Sequence, residues 1–255
     1  MNNHPTAVID TGAEIADDVQ IGPFTVIEND VTIDSGTTIG PHALIASGAR
    51  LGKNVRIHKS AVIGTLPQDL KFKGEPSVAI VGDNTIIREF VTVNRGTEAS
   101  ERTAIGQECL IMAYAHVAHD CILEDKVIMA NSVNLAGHVV LEEQVIIGGL
   151  VPIHQFVRIG CHAFIAGGTR VPKDVPPFVL AANEPLRYAG LNSVGLKRRG
   201  FSADRIAQIK QAYKLLYHSG LNVSQGVTRI KEEMDISGDV KHIIDFIEGS
   251  ERGII

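Results

Sequence analysis

The sequence predicts an all-β parallel β-helix, a solenoid of six-residue repeats, followed by a small α-helical domain. Three observations predict it. An aliphatic or similar apolar residue recurs at every sixth position from Ile9 to Ile63 and again from Ile105 to Val171. The phase is broken by two short segments, and beyond Pro172 the apolar spacing becomes that of a helix.

The repeat comes first because self-similarity at a fixed period decides the architecture. Stepping by six gives Ile9, Ile15, Ile21, Ile27, Ile33, Ile39, Ile45, Leu51, Ile57 and Ile63 without a miss. If roughly a third of residues were aliphatic, ten in a row would arise with a probability on the order of 10^-5. The phase resumes through Val81, Ile87 and Val93, and the run from Ile105 to Val171 adds twelve more positions. Four residues after each anchor stands a small or β-branched residue, such as Ala13, Val19, Thr25, Val31, Cys109, Val127, Val139 or Thr169. A helix spaces its apolar residues by three and four, and a half-buried flat strand by two. A period of six suits a parallel β-helix in which each hexad supplies one short strand and one corner, its anchor pointing into the bore. In the triangular form three hexads close a coil, so residues eighteen apart stack at about 4.8 Å.

Two segments leave this phase and are expected to bulge from the coils, residues 65–79 and 98–104. Such insertions are either tolerated surface loops or walls of a site on a rigid scaffold. The repeat ends at Pro172, and Pro176-Pro177 is expected to forbid another coil, so the domains are taken as residues 1–178 and 179–255. After a linker, Ser202 reads as the N-cap of a helix from about Ala203 to His218, stopped by Gly220. Its stripe Ile206, Ile209, Tyr213 and Leu216 is packing surface. Shorter helices follow around Ser224 to Met234 and Val240 to Glu248.

Composition narrows the function classes. With 44% apolar and 21% charged residues in 255, the chain is globular and long enough for a sizeable core. A net charge of -5 without long charge runs gives no reason to expect nucleic acid or an anionic membrane as partner. The start has neither a basic nor an apolar leader region, and no segment approaches 18 uninterrupted apolar residues, so the chain reads as cytosolic with no stable membrane insertion. Cys109, Cys121 and Cys161 show no paired spacing and read as reduced thiols.

Solenoid corners carry polar residues freely, so a single histidine there says little. Five of the chain's 10 histidines, however, fall between His116 and His162: His116, His119, His138, His154 and His162. Stacking by eighteen puts His119, Gly137 and Gln155 in one column, beside Asp120 and His138 in the next. A histidine, a carboxylate and an open backbone amide on one edge are the parts needed to deprotonate a hydroxyl and hold an oxyanion. The same histidines could be hydrogen-bonded rungs, or, drawn as His116, His119 and His138, a zinc set like that of γ-class carbonic anhydrases.

The motifs His116-Val117-Ala118-His119-Asp120-Cys121, Leu135-Ala136-Gly137-His138, His154-Gln155-Phe156, Gln68-Asp69-Leu70-Lys71 and, in the tail, Gly195-Leu196-Lys197-Arg198-Arg199-Gly200-Phe201 together resemble the UDP-N-acetylglucosamine O-acyltransferase family. The resemblance covers nearly the whole chain in order. It implies a left-handed coil, a handedness the repeat alone does not give, and a cytoplasmic homotrimer with sites in the clefts between subunits. The implied reaction moves a 3-hydroxyacyl chain from acyl carrier protein to the 3-hydroxyl of UDP-N-acetylglucosamine, the first step of lipid A synthesis, with no cofactor and no metal. Carried over by position, His119 is the general base, Gly137 the oxyanion amide, and Asp120 a carboxylate that orients the base or holds a hydroxyl. Asp69, Lys71, His116, His138, His154 and Gln155 are implied substrate contacts, and Asn192, Arg198 and Arg199 contacts to nucleotide or carrier protein. Guanidinium forks suit phosphate. Gly167, stacked with Asn131 and Gly149, is implied as the end stop of an acyl-chain ruler. Phe72 stands where the family has tyrosine, and Val194 where some members are acidic, changes that could accompany a 3-amino acceptor sugar.

Overall fold

In the computed structural model, which describes residues 2–255, short strands joined by tight corners wind into a left-handed triangular prism. Its three sheets have eleven, eight and eight strands among the described residues, all parallel except the last strand of the first. The first contains Gln20–Ile21, Ile146–Ile147 and Phe164–Ile165; the second Val26–Ile27, His116–Val117 and Asn134–Leu135; the third Thr32–Ile33, Ile122–Leu123 and Val140–Leu141. The register is the expected one, since Val26 pairs with Leu44, Asn134 with Pro152 and Ile146 with Phe164, each eighteen residues on. The anchors fill the bore. Ile27, Ile45, Ile63, Ile87, Ile111, Leu123, Leu141 and Ile159 are all buried, and each such side chain stabilises the fold by about 1.5–3 kcal/mol. The corner threonines are satisfied in place, Thr25 and Thr37 donating their hydroxyl protons to the carbonyls of Gly40 and Gly52.

Most corners from Phe24 onward turn through a residue in the left-handed region, often one with a side chain. Asp120, His138 and Phe156 stand in one column at φ 60°, 62° and 64°. That conformation costs a non-glycine residue about 1–2 kcal/mol. Here the coil-to-coil ladder offsets the cost: the His138 amide donates to the His119 carbonyl at 3.1 Å and the Phe156 amide to that of Gly137 at 3.1 Å.

The two insertions leave the prism at one edge, between the second and third sheets. The first lies between strands Val62–Thr65 and Val78–Val81, the second between Thr92–Asn94 and Arg102–Ile105. Asn94 anchors the first by donating from Nδ2 to Thr65 Oγ1 and the Leu66 carbonyl, both at 3.0 Å. The insertions also touch, Glu98 N–H donating to Glu75 Oε1 at 3.2 Å.

The prism does not stop at the prolines. Val175 still bridges Ile159, and Val179–Ala182 then pairs with Phe164–Ile165 in the first sheet before Arg187–Leu191 folds back antiparallel on it. Pro176 and Pro177 occupy the corner, whose ladder bond is made by the next residue, the Phe178 amide donating to the Cys161 carbonyl at 2.8 Å, and Pro177 packs against Gly160, which has no Cβ to collide with it. What the sequence leaves as a linker is therefore strand. Four helices follow: α1 Ser193–Arg198, α2 Ala203–Tyr217, α3 Val223–Glu233 and α4 Gly238–Glu248. The first is too short for apolar spacing to announce it. Ser202 caps α2 as expected, and Asn222 with Gln225 forms a capping box on α3. Buried Tyr213 of α2 donates its hydroxyl to the Pro177 carbonyl at 2.6 Å, docking the helices on the end of the prism. No helix among the described residues is long and apolar enough to cross a membrane.

Candidate active site

The edge that carries both insertions also carries His119, Asp120, Gly137 and His138. His119 Nδ1 lies 2.7 Å from Asp120 Oδ2. The Asp120 side chain is fully shielded from solvent, whereas that of His119 is 14% exposed. Burial alone would raise the Asp120 carboxyl, but hydrogen bonds from Ser100, His119 and Thr97 overcome it and hold the group at about 2. An ionised carboxylate only accepts, so the His119 proton is assigned to Nδ1, and Nε2 keeps a free lone pair on the ring's more open side.

The clamp on Asp120 comes from the second insertion. Thr97 donates from its amide to Oδ1 at 2.9 Å and from its hydroxyl to Oδ2 at 2.7 Å, and Ser100 donates its hydroxyl to Oδ1 at 2.5 Å. The Asp120 amide in turn donates to Thr103 Oγ1 at 2.8 Å. A carboxylate with these partners and no exposed surface is not free to hold a substrate hydroxyl; of its two expected roles, the geometry favours orienting His119. Thr97 and Ser100 were not expected from the sequence. The signal was there: across the second insertion the register is 24 residues, Thr92 pairing with His116, which brings Thr97 to within one position of Asp120.

Gly137 sits under the His119 ring. A Cβ there would stand 2.5 Å from Cε1 and 2.7 Å from Nε2, so the residue is small because the imidazole needs its space. Its amide donates to no group among the described residues, while the amide of His138 is used in the ladder. His138 meets His119 edge-on at 5.2 Å between centroids and stacks on Phe156 at 4.5 Å. Burial lowers the His138 pKa, and the Asp120 charge only partly restores it; Asp69 of the first insertion acts in the same restoring sense and so belongs to this electrostatic neighbourhood. Burial, and then His119, lowers the pKa of His116, whose Nδ1 lies 2.7 Å from Thr92 Oγ1. Both flanking histidines are thus held in the neutral form, as hydrogen-bonding groups.

The other expected residues are dispersed. Lys71 lies exposed on the first insertion, its amide bonded to Asp69 Oδ1 at 2.9 Å. His154 and Gln155 are exposed on the next coil of the same edge. Gly167 belongs to the edge between the first and second sheets, where a Cβ would lie 3.1 Å from the Gly149 carbonyl oxygen, confirming that the two stack. Asn192 and Arg199 lie against the third edge. Asn192 caps α1 and donates to the His162 carbonyl at 2.9 Å, and Arg199 donates to the Gln144 carbonyl at 2.9 Å. Arg198 is exposed. One chain therefore brings together His119, Asp120, Gly137 and His138, with Asp69 nearby, but holds Gly167 and the tail residues on other edges.

One atom each of His119, Asp120 and His138 lies within 4.8 Å of the others, the spacing of a metal set. Asp120 already spends its oxygens on Thr97, Ser100 and His119, and His116, needed in the carbonic-anhydrase drawing, faces Thr92.

Residues 174–255 match the family model described as UDP N-acetylglucosamine O-acyltransferase, domain 2, and residues 12–47 match the bacterial transferase hexapeptide model of six repeats. The acyl-(acyl-carrier-protein)–UDP-N-acetylglucosamine O-acyltransferase of Stenotrophomonas maltophilia R551-3 is 52% identical over 99% of this chain and 97% of its own length. That of Thiobacillus denitrificans is 48% identical over 99% and 98%. Among solved structures, a UDP-N-acetylglucosamine acyltransferase of Bacteroides fragilis superposes with a TM-score of 0.97 at 45% identity, covering 99% of both chains. The Arabidopsis UDP-N-acetylglucosamine acyltransferase reaches a TM-score of 0.80 at 31% identity, again over 99% of both.

Proposed function

The chain belongs to the UDP-N-acetylglucosamine O-acyltransferase family, and from that membership we propose that it transfers a 3-hydroxyacyl chain from acyl carrier protein to the 3-hydroxyl of UDP-N-acetylglucosamine, the first step of lipid A synthesis, with His119 as general base. The observation that carries this reading is the Nδ1 contact to a clamped, ionised Asp120 at 2.7 Å, which leaves Nε2 free to accept a proton. In the step itself the sugar hydroxyl oxygen attacks the thioester carbonyl carbon while its proton passes to Nε2. The carbonyl electron pair collects on oxygen, where the unused Gly137 amide can donate to it. Collapse reforms the carbonyl and breaks the C–S bond, and the departing carrier thiolate takes the proton back from Nε2. No acyl-enzyme is needed. Asp120 is a positioning residue here, because it touches His119 and no substrate.

The same reading includes a homotrimer. Gly167 and the Arg198-Arg199 pair lie on edges that the filled bore separates from His119, so a neighbouring copy is what would bring them to one cleft. The decisive assay incubates the purified protein with UDP-N-acetylglucosamine and 3-hydroxyacyl carrier proteins of several lengths, followed by mass analysis of the sugar nucleotide. An ester at the 3-position is expected. An amide formed only when a 3-amino sugar nucleotide is offered would move the reaction to that acceptor, and no product with any donor would remove the reading. Sedimentation equilibrium should give three chains; a monomer with full turnover would overturn the composite site.

A further inference from the structure

Away from the catalytic edge, the edge between the third and first sheets meets the helical domain around a cavity of about 290 Å³. Glu142 and Cys161 reach it from successive coils of the prism, His242 from α4, and one ligand atom of each lies within 4.8 Å of the other two. We propose that this cavity is a zinc site that staples α4 to the prism, with the Cys161 thiolate, the His242 imidazole and the Glu142 carboxylate as ligands.

The donor set is the first argument. A thiolate, an imidazole and a carboxylate together suit Zn²⁺ and disfavour Mg²⁺ or Ca²⁺, which take oxygen donors. Spacing is the second. Tetrahedral zinc holds its ligand atoms about 3.3–3.8 Å apart, so the His242–Glu142 pair, now 2.8 Å apart, must open by roughly 0.5 Å and the other pairs, all within 4.8 Å, close by at most roughly 1.5 Å. His242 Nε2 and Glu142 Oε2 are 2.8 Å apart, sharing a proton where the ion would sit. On binding, that proton leaves the nitrogen and the Cys161 thiol loses its own. Orientation is the third. Glu142 Oε2 also accepts the Cys161 amide at 2.9 Å, and Arg158 lies 3.5 Å from Oε1, so the carboxylate is aimed before the ion arrives. Charge is the fourth. Glu124, Glu142, Glu143 and Asp239 all line the cavity, and its one arginine, Arg205, is already paired with both oxygens of Asp239. His162 lines the same cavity with Nδ1 closed to solvent and without a hydrogen-bond partner, but its ring nitrogens lie outside the set of three.

The test strips the full-length protein with a chelator and titrates it with Co²⁺, a spectroscopic stand-in for zinc, then with Zn²⁺. One equivalent per chain should produce a thiolate-to-cobalt charge-transfer band with tetrahedral visible absorption, and Zn²⁺ should displace it. Cys161→Ser should abolish the band, and His242→Gln should weaken binding at least ten-fold, while Asp120→Asn, on the catalytic edge, should leave both unchanged. Zn²⁺ should raise the melting temperature of the wild type but not of Cys161→Ser, a comparison made within each protein and so independent of any loss of basal stability. The proposal falls if wild type shows no charge-transfer band at saturating Co²⁺, if the band survives Cys161→Ser, or if Asp120→Asn rather than Cys161→Ser removes it.

Discussion

Adding one methyl group at Gly137 should cost the enzyme most of its turnover without removing any group that touches substrate. In Gly137→Ala the new Cβ would stand 2.5 Å from His119 Cε1, 2.7 Å from Nε2 and 3.2 Å from Nδ1. Carbon atoms rest comfortably from about 3.5 Å, so the imidazole must retreat by roughly 1 Å. Among the described residues its one hydrogen bond is the 2.7 Å contact to Asp120, which cannot follow because Thr97 and Ser100 hold the carboxylate. A displacement of that size at a reacting group is worth about 10²-fold in rate, or roughly 2.7 kcal/mol in the barrier. The loss should fall on kcat, with KM for both substrates nearly unchanged, since the alanine amide is still present. Steady-state kinetics on the purified variant, with circular dichroism to establish folding, measures it. His119→Ala alone should lower turnover by about 10² to 10⁴, and on that background Gly137→Ala should add little, because the clashing ring is gone. Wild-type turnover in Gly137→Ala would refute the steric argument, and an equal further loss on the His119→Ala background would show that Gly137 acts independently of the base.

Asp120→Asn should lower turnover by about 10² and also destabilise the fold, because the carboxyl is held at about 2 against an ordinary 3.8, a depression worth about 2 kcal/mol. A depressed carboxylate stabilises above its unfolded pKa and ceases to as pH falls through its folded one, so the stability gap between wild type and variant, read by urea melts, should be full at pH above about 4 and shrink towards about 2; a gap independent of pH contradicts the clamp. Gly167→Met, whose Cβ would already press the Gly149 carbonyl at 3.1 Å, should shift relative turnover towards shorter donors, each excluded CH₂ being worth about 0.8 kcal/mol; an unaltered length profile would place the acyl groove elsewhere. Arg198→Ala should raise KM for UDP-sugar or carrier protein without moving the melting temperature, whereas Arg199→Ala should also lose about 1 kcal/mol of stability with its bond to the Gln144 carbonyl. Unchanged kinetic constants in both would take the tail out of the mechanism.

The prism was legible because its rule is strict and local. A bore that takes the aliphatic anchor of every hexad, with a small or β-branched residue beside it, leaves an uninterrupted trace, and residues eighteen apart stack wherever nothing is inserted, which is why His119, Gly137 and Gln155 fall in a column by counting alone. Left-handedness was not legible from the period, since either hand buries the same anchors. The last strands escaped because prolines were read as terminators, whereas the ladder bond of this corner is made by the Phe178 amide just after them. Helix α1, six residues long, escaped because one turn and a half carries no periodicity. Thr97 and Ser100 escaped for a different reason: an insertion lengthens one coil, and counting by eighteen across it points to the wrong partners.

The two levels of order in the site follow from the same construction. Side chains at this edge are held along the axis by amides bonded to the coil beside them, as His138 is to His119 and Phe156 to Gly137. The proposed base, His119, and the proposed oxyanion amide of Gly137 thereby inherit the spacing of the ladder, and the clamp on Asp120 needs to fix only the rotation of one ring. The residues that would choose the substrate are under no such constraint. Asp69 and Lys71 ride on an insertion, Gly167 marks an open strip on another edge, and Arg198 projects from a short helix at the end of the prism. Chemistry fixed by the coils and recognition borne by what is added to them is an arrangement in which the acyl length or the sugar can change by substitution at the additions, with the proton transfer left as it is.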